Sequence, residues 1–182
     1  MKPQRFFTLF IVTMGLLAAG SLLASESSKS QSAKKADSRI EVIFQNPEKF
    51  TDVKDSGMNT DSGRDAILSD LKSFLEKRAE AALPQGDKLQ VTFTDIDLAG
   101  EYEPWRINAM DVRIVKDIYP PRFEFTYKIT DAKTGAVVKE GKETLQNLLF
   151  MQRMVIDRND PLRYEKDMLG GWISDVLKAP AK

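Results

Sequence analysis

The chain has 182 residues, with 27 Lys and Arg against 27 Asp and Glu, and it contains neither His nor Cys. A balanced charge gives no basic surface of the kind that nucleic-acid binding requires, so nucleic acid is not predicted as a partner. The missing imidazole and thiol groups exclude Ser-His-Asp and Cys-His catalysis, metal sites with those ligands, and disulfide bonds. No cofactor is predicted, and a metal site would have to consist of oxygen ligands alone.

The first 24 residues have the pattern of a secretory signal peptide. Lys2 and Arg5 precede an uncharged apolar run over residues 6–23, and Ala24 is followed by polar sequence. A basic start, an apolar centre and a small residue at the boundary are typical of a peptide that is cleaved on export, so we predict a signal peptide at 1–24 and a periplasmic location. The alternative is a retained membrane anchor, because the run is close to the roughly 18 residues that a span needs.

Residues 25–38 are rich in Ser and Lys. They have too few apolar side chains to fold and are predicted to form a flexible leader. Residues 39–182 are predicted to form a single α+β domain. Its first strand is indicated by the alternation of Ile40, Val42 and Phe44 with other residues.

A long helix is predicted over residues 63–83. Ser62 and Asp65 match the pattern of a helix start, in which the hydroxyl caps a free amide, and Pro84 and Gly86 mark the end. Apolar residues spaced by three and four form one stripe along it: Ile67, Leu68, Leu71, Phe74, Leu75, Ala79, Ala82 and Leu83.

A second strand is predicted within residues 89–100. Its apolar alternation changes phase at Asp95 and Asp97, which predicts either a β-bulge or a strand whose surroundings change along its length. Because the order is strand, helix, strand, the first two strands are predicted to lie parallel through a right-handed crossover.

The clearest alternation in the chain predicts a β-hairpin. Phe123, Phe125, Tyr127 and Ile129 share one face, and residues 131–135 have the composition of a turn before a return strand. Pro120 and Pro121 precede the first arm, and we predict that they form a rigid bend that leads into it.

Two more helices are predicted after the hairpin. The first is short and lies within the apolar residues 145–156. The second covers about 161–178, with Asp160 as its cap and Pro161 in its first turn. The predicted architecture is therefore a four- or five-stranded mixed sheet that packs against the long helix and the C-terminal helix.

Aromatic and basic residues around the double proline are the first candidate site: Trp105, Arg106, Arg113, Tyr119 and Arg122. Arginine beside aromatic rings can bind a carboxylate, a phosphate or an acidic segment of a partner. The alternative is structural, in that the prolines fix the bend and the arginines pair with the chain's own acids.

Four acidic residues are the second candidate: Asp95, Asp97, Glu101 and Glu103. Paired carboxylates can act as general acid and base or bind a divalent metal, and the alternative is a solvated strand end. A mixed-charge group between Arg153 and Lys166 fits a helix start with local ion pairs, or a cluster that binds an anion.

Four segments make the chain resemble a bacterial secreted family known as domain of unknown function 3016. They are NPEKFTDV, VTFTDIDLAGEYEPW, DVRIVKDIYPPRFEF and DRNDPLRYEKDML, in that order, and DIYPPR and LRYEK are the most specific parts. The resemblance covers about Ile40 to Trp172. It implies a signal peptide and a Gram-negative source, and it brings no activity, cofactor or catalytic residue.

Together these features favour an exported, non-enzymatic binding or assembly module of the cell envelope. Its predicted partner is a protein or another envelope component, and the membrane would be contacted only through an uncleaved signal peptide. The alternative is a metal-assisted or carboxylate-based hydrolase that uses Asp95, Asp97, Glu101 and Glu103.

Overall fold

The computed structural model of the protein describes five stretches of the chain: residues 38–56, 60–106, 108, 111–155 and 157–177. The predicted signal peptide (1–24) and all but the last residue of the predicted leader (25–38) lie outside them. Within these stretches, no helix is both long enough and apolar enough to span a membrane.

Two helices and six strands make up the regular structure of the described chain, which confirms the predicted α+β fold. In chain order they are β1 (Ile40–Phe44), α1 (Asp61–Ala82), β2 (Asp87–Asp97), β3 (Glu101–Tyr102), β4 (Arg113–Ile114), β5 (Arg122–Asp131), β6 (Val137–Gln146) and α2 (Arg163–Val176). Single 3₁₀ turns lie at Pro47–Lys49 and Phe150–Gln152.

The main sheet is mixed and has the strand order β1-β2-β5-β6. As predicted, β1 and β2 are parallel, with Ile40 opposite Leu89. The other neighbours are antiparallel. The short strands β3 and β4 form a separate antiparallel pair and do not join the main sheet.

The predicted bulge in β2 is confirmed. Phe93 pairs with Phe125 and Asp95 with Glu124, so Thr94 is the extra residue. The extra residue reverses which face the following side chains take, because side chains in a strand alternate between faces. As a result, Ile96 is buried and Asp95 lies on the outer side of the sheet end.

Both helices pack on one face of the main sheet, around a core of aromatic rings. The ring of Phe125 lies 5.1 Å from that of Phe93 and 4.8 Å from that of Trp172 in α2, measured between centroids. Offset and edge-to-face contacts of this kind add to the burial of apolar area. From α1 the core takes Leu68, Leu71, Leu75 and Ala79.

Thr60, and not the predicted Ser62, caps the N-terminus of α1. The Thr60 Oγ1 accepts a hydrogen bond from the backbone N of Gly63 at 3.0 Å. Ser62 lies inside the first turn, so its hydroxyl cannot take the capping position. The prediction of the long helix itself is confirmed within two residues at each end.

The predicted short helix at 145–156 is wrong. Strand β6 continues to Gln146, which pairs with Arg122, because the ten-residue β5 supplies partners for its backbone that far. A single 3₁₀ turn follows at Phe150–Gln152. Among the described residues of this apolar run, Phe150 alone is fully buried, edge-on against Tyr164, and its neighbours Leu148 and Leu149 are exposed.

The C-terminal helix starts two residues later than predicted, at Arg163. Asp160 caps the turn before the helix rather than the helix itself, because its Oδ1 accepts a hydrogen bond from the backbone N of Leu162 at 2.8 Å. Strand β5 begins at Arg122, directly after Pro120 and Pro121, as the double proline predicts.

The aromatic core gives a test of this packing. We expect Phe125→Ala to lower the free energy of unfolding by about 3–5 kcal/mol, because it leaves a cavity between Phe93 and Trp172. The control is Thr126→Ala, on the open face of the same strand, with an expected loss below about 1 kcal/mol. Urea unfolding followed by tryptophan fluorescence measures both, and equal losses would contradict the assignment of the two faces.

Candidate functional site

One end of the main sheet carries the three long connections of the domain. Strands β1, β2 and β6 end there and β5 begins there. The connections are residues 45–60, 98–121 and 147–162. We call this the loop end, and it contains all the residues of both candidate sites.

The first connection lies alongside the end of β2. The backbone N of Asp52 donates to the O of Ile96 at 3.1 Å, and the N of Leu98 donates to the O of Asp52 at 3.1 Å. Asp52 thus forms an isolated parallel bridge with Asp97. This pairing draws the Asp52 side chain inward, where only 2% of its surface is exposed.

Arg113 of β4 neutralises Asp52 inside the domain. Its Nη1 donates to the Asp52 Oδ2 at 2.7 Å and to the backbone O of Gly100 at 3.0 Å, and its Nη2 donates to the O of Lys54 at 3.1 Å. The guanidinium also lies over the ring of Tyr102, 4.7 Å from the centroid. One side chain therefore holds the first and second connections together.

Asp52 stabilises the charged form of Arg113. Burial alone would lower the pKa of the Arg113 guanidinium, but its hydrogen bond and attraction to Asp52 raise the pKa above its ordinary value. The close approach of the chain at position 100 to β4 also needs a glycine. Gly100 has a φ of +86°, and a Cβ at that position would lie 2.9 Å from the backbone O of Ile114.

Glu103 is the centre of a second buried cluster, in the middle of the second connection. Its carboxylate accepts from Lys116, Arg106 and Tyr119, with 3.2 Å between the Tyr119 Oη and the Glu103 Oε1. The hydrogen bond from Lys116, together with those from the other two, holds the pKa of Glu103 below its ordinary value although burial acts in the opposite direction. The cluster folds the connection back on itself.

Asp95 is held at the edge of the loop end. Its Oδ2 accepts from the Arg122 Nη2 at 2.7 Å and from the Thr51 Oγ1 at 2.8 Å, and its Oδ1 accepts from the Thr51 backbone N at 2.7 Å. Arg122 also pairs with Glu124. The first connection is thus joined to the bend that starts β5.

Asp97 lies among like charges. Burial raises the pKa of the Asp97 carboxyl, and the nearby Asp52, Asp95 and Glu101 raise it further, against the opposite effect of Arg122. A raised pKa, which keeps the carboxyl protonated to higher pH, is one property of a general acid.

Glu165 of α2 is the third buried acid, with 1% of its surface exposed. Its Oε1 accepts from the backbone N of Ala99 at 2.6 Å, while its Oε2 is buried without a hydrogen-bond partner. Burial raises the pKa of Glu165, and the bond from Ala99 opposes this only partly. The contact fixes the second connection to α2.

Four of the five aromatic and basic candidates are engaged by the chain itself. Arg113 is bound to Asp52, Arg122 to Asp95 and Glu124, and both Arg106 and Tyr119 to Glu103. Trp105 differs, because 69% of its surface is exposed. Of the acidic candidates, Asp95 is bound by Arg122 and Glu103 by its three donors, whereas Asp97 and Glu101 belong to neither cluster. The Glu101 Oε1 accepts from the backbone N of Tyr102 at 3.0 Å. The described residues contain no group of three or more acids placed to hold a metal ion.

Sequence reasoning missed two of the residues that organise the loop end. Nothing in the sequence marks Asp52 as buried, since its burial follows from the pairing with β2. Glu165 did carry a signal: it lies three residues after Leu162 and four before Leu169, on the apolar stripe of α2. A carboxylate on such a stripe indicates a buried contact.

Large apolar side chains are exposed on the second and third connections. The second carries Trp105, Val112 and Ile118, and the third carries Leu148, Leu149, Met151 and Met154. Met154 is the most exposed of them, at 93%. Large apolar side chains exposed at one end of a domain are candidates for contact with another molecule. We call these seven residues the apolar loop surface.

Comparison with known proteins gives a family and a distant structural likeness. The family model described as "Protein of unknown function (DUF3016)" matches residues 38–175. The crystal structure of a "putative lipoprotein" from Caulobacter crescentus CB15 is 14% identical, with a TM-score of 0.29 over 78% of this chain and 83% of that one. A likeness this distant carries no functional argument. No curated protein matches the chain.

The Asp52–Arg113 pair can be tested by removing the cation. We expect Arg113→Ala to lower the free energy of unfolding by about 3 kcal/mol, because the buried Asp52 carboxylate would keep only the more distant Lys54 Nζ, 3.5 Å from its Oδ1, as a counter-charge. Arg158→Ala, at an exposed position of the third connection, is the control and should change it by no more than about 0.5 kcal/mol. A loss below about 1 kcal/mol for Arg113→Ala in urea unfolding would show that the pair does not hold the connections.

Glu165 predicts a particular pH dependence of stability. A carboxyl whose pKa is higher in the folded than in the unfolded state contributes stability below the unfolded pKa, near its ordinary 4.5, and loses it as pH rises through the folded value. Glu165→Gln mimics the protonated form, so its stability relative to the wild type should increase over that window and then stay constant. Urea titrations from acid to neutral pH measure the difference, with exposed Glu48→Gln as control. A difference independent of pH would contradict the raised pKa.

Proposed function

We propose, for a chain that belongs to the DUF3016 family of proteins of unknown function, that it is a non-enzymatic binding module of the cell envelope. Its apolar loop surface binds an apolar surface of a protein partner. The observation that carries the proposal is the division of side chains at the loop end. The acids Asp52, Glu103 and Glu165 are buried there, the first two of them paired with basic side chains, and large apolar side chains are exposed.

This division suits binding because it makes the connections rigid before a partner arrives. Arg113 and Glu103 together contact residues from Asp52 to Tyr119, and Glu165 joins the same region to α2. Loops that are already ordered lose less conformational entropy on association. Aromatic, Leu and Met side chains on such loops can then bury their area against the partner, and Trp105 has the residue type most enriched at binding hot spots.

A protein is favoured over a lipid surface as the partner because the charges around the apolar side chains are mixed. Asp111, Asp117 and Asp157 are exposed at the loop end beside Arg153 and Arg158. Binding to anionic lipid requires a predominantly basic rim. A rim with both signs fits the polar border of a protein–protein interface.

Export to the periplasm belongs to the same proposal. It rests on the basic start, apolar run and small boundary residue of residues 1–24. The described domain begins at Ser38, ahead of β1, at the sheet end opposite to the apolar loop surface. A chain held at its N-terminus would therefore leave the apolar loop surface free to reach a partner.

The geometry gives less support to the carboxylate hydrolase. Asp95 is bound by Arg122 and Thr51, and Glu103 by three donors, so neither is free to serve as a base or nucleophile. Asp97 has the raised pKa of an acid, but its nearest acidic partner on the strand is the occupied Asp95. A general acid needs a second group that acts on the substrate.

Site-specific photocrosslinking in intact cells tests the binding surface. A photoreactive side chain at Leu149 or at Trp105 should give the same crosslinked protein band, because both positions belong to the apolar loop surface. The control position is Gln85, exposed in the turn at the opposite end of the sheet. Identical bands from Gln85, or adducts only with lipid at the loop end, would overturn the proposal.

Charge placed on the apolar loop surface should abolish binding and leave the fold intact. We expect the double variant Leu149→Asp/Met154→Asp to lose the Trp105 crosslink by at least about tenfold. Both side chains are exposed, so its free energy of unfolding should stay within about 1 kcal/mol of the wild type. The conservative Leu149→Met/Met154→Leu keeps apolar area and should keep the crosslink. Its loss in the conservative variant would show that apolar contact is not the basis of binding.

A further inference from the structure

Strand β6 is an edge of the main sheet with a free side. The strand order places it outside β5, and no described strand pairs with its other edge. It is ten residues long, and each of its residues is at least partly exposed. A free edge has unpaired backbone N–H and C=O groups along its length, so it can pair with another strand.

The charges on β6 form a mirrored pattern around Gly141. Lys139 and Glu140 precede it, and Lys142 and Glu143 follow. Lysines on an edge strand commonly prevent pairing. Here, however, each lysine has a glutamate at the equivalent distance on the other side of Gly141. An arrangement of opposite signs about a centre is self-complementary under two-fold symmetry.

We propose that β6 pairs with β6 of a second copy, antiparallel and centred on Gly141, to form a homodimer with a continuous eight-stranded sheet. In this register Lys139 lies opposite the partner's Glu143, and Glu140 lies opposite the partner's Lys142. The two-fold axis repeats both pairs, so all eight charged side chains face an opposite charge. Opposite charges directly across a strand pair stabilise it and like charges destabilise it.

The same charges disfavour the neighbouring registers. Moving the axis to Glu140 places that residue opposite itself, and moving it to Lys142 does the same with two lysines. Axes on Lys139 and on Glu143 also bring like charges together. Of the five central positions, only Gly141 gives an axis without a like-charged pair, so the sequence specifies one register.

The side of the sheet that each pair occupies is consistent with the packing. Glu140 and Lys142 are on the open face, where their side chains would meet in water. Lys139 and Glu143 are on the face that carries α2, and the Lys139 Nζ donates to the backbone O of Val176 at 3.3 Å. A groove of about 390 Å³ lies between β6 and α2. Because the axis is perpendicular to the sheet, the α2 helices of both copies flank the interface on one face.

Gly141 is suited to the axis for a steric reason. The ring of Tyr127 on β5 lies across it, and a Cβ at Gly141 would be 2.9 Å from the Tyr127 Cε1. The aromatic ring covers the backbone that a side chain would otherwise cover. Gly141 therefore places no side chain at the two-fold axis, where it would lie opposite its own copy. Since the copies are antiparallel, their loop ends point in opposite directions and the dimer would carry two separate apolar loop surfaces.

Sedimentation velocity of the chain without residues 1–24, over micromolar to submillimolar concentrations, measures the assembly. We expect a reversible dimer. Lys139→Glu and Glu143→Lys each place like charges opposite one another twice per dimer and should raise the dissociation constant at least about tenfold. The double variant Lys139→Glu/Glu143→Lys restores opposite charges and should return to within about threefold of the wild type. Lys77→Glu, on the exposed surface of α1, is the charge-matched control and should dimerise normally.

Disulfide formation tests the register without depending on affinity, because the chain has no cysteine. Lys139→Cys and Glu143→Cys copies, mixed and oxidised, should form a crosslinked dimer, while each variant alone should not. A monomeric mass at all concentrations would overturn the proposal. A dimer unaffected by the charge variants, or equal crosslinking by a single variant, would do the same. Since β6 is separate from the apolar loop surface, these results are independent of the photocrosslinking.

Discussion

The buried pair of Asp52 and Arg113 is the constraint on which the loop end depends. Moving two charges out of water costs several kcal/mol per ion, and their attraction offsets this only if the remaining hydrogen-bonding groups are satisfied. Arg113 meets that condition on its own side by also binding the carbonyl groups of Gly100 and Lys54 and lying over Tyr102. The Asp52 Oδ1 is buried without a hydrogen-bond partner, and the Lys54 Nζ lies 3.5 Å from it. A buried ion pair adds little to stability by itself. Its effect here is to select one arrangement for connections that have almost no regular structure of their own.

The ionic interior of the loop end explains how apolar side chains can remain outside it. Loops without internal contacts would bury Leu149, Met151 or Trp105 by collapsing onto the sheet, because burying each side chain is worth about 1.5–3 kcal/mol. Fixed connections cannot make that movement. The space beneath them is already filled, by the Glu103 cluster on one side and by Phe150 against α2 on the other. The apolar loop surface is therefore available to a partner and unavailable to the chain's own core.

The sequence predicts the elements whose signal is local and fails where contacts are distant. Alternation in β5, the stripe of α1 and the phase change near Asp95 are periodic, and periodicity is visible in a single chain. The partner of Arg113 cannot be recognised in this way. Asp52 lies 61 residues away along the chain and becomes adjacent to Arg113 only because it pairs with the end of β2. The apolar residues at 145–156 predict a helix only on the assumption that they are buried. Among the described apolar residues of that run only Phe150 is fully buried, and Leu148, Leu149, Met151 and Met154 are exposed.

The two proposed binding surfaces of this domain depend on different interactions, so their responses to salt and temperature should differ. At the loop end the charges are neutralised internally, so binding there should depend on buried apolar area, with a negative heat-capacity change and little dependence on salt. Along β6 the charged pairs are exposed, so pairing there should weaken as the ionic strength rises above about 0.1 M, where the screening length is about 10 Å. The sequence thus specifies both where charges are neutralised and where apolar side chains are left exposed, and we propose that both properties serve association.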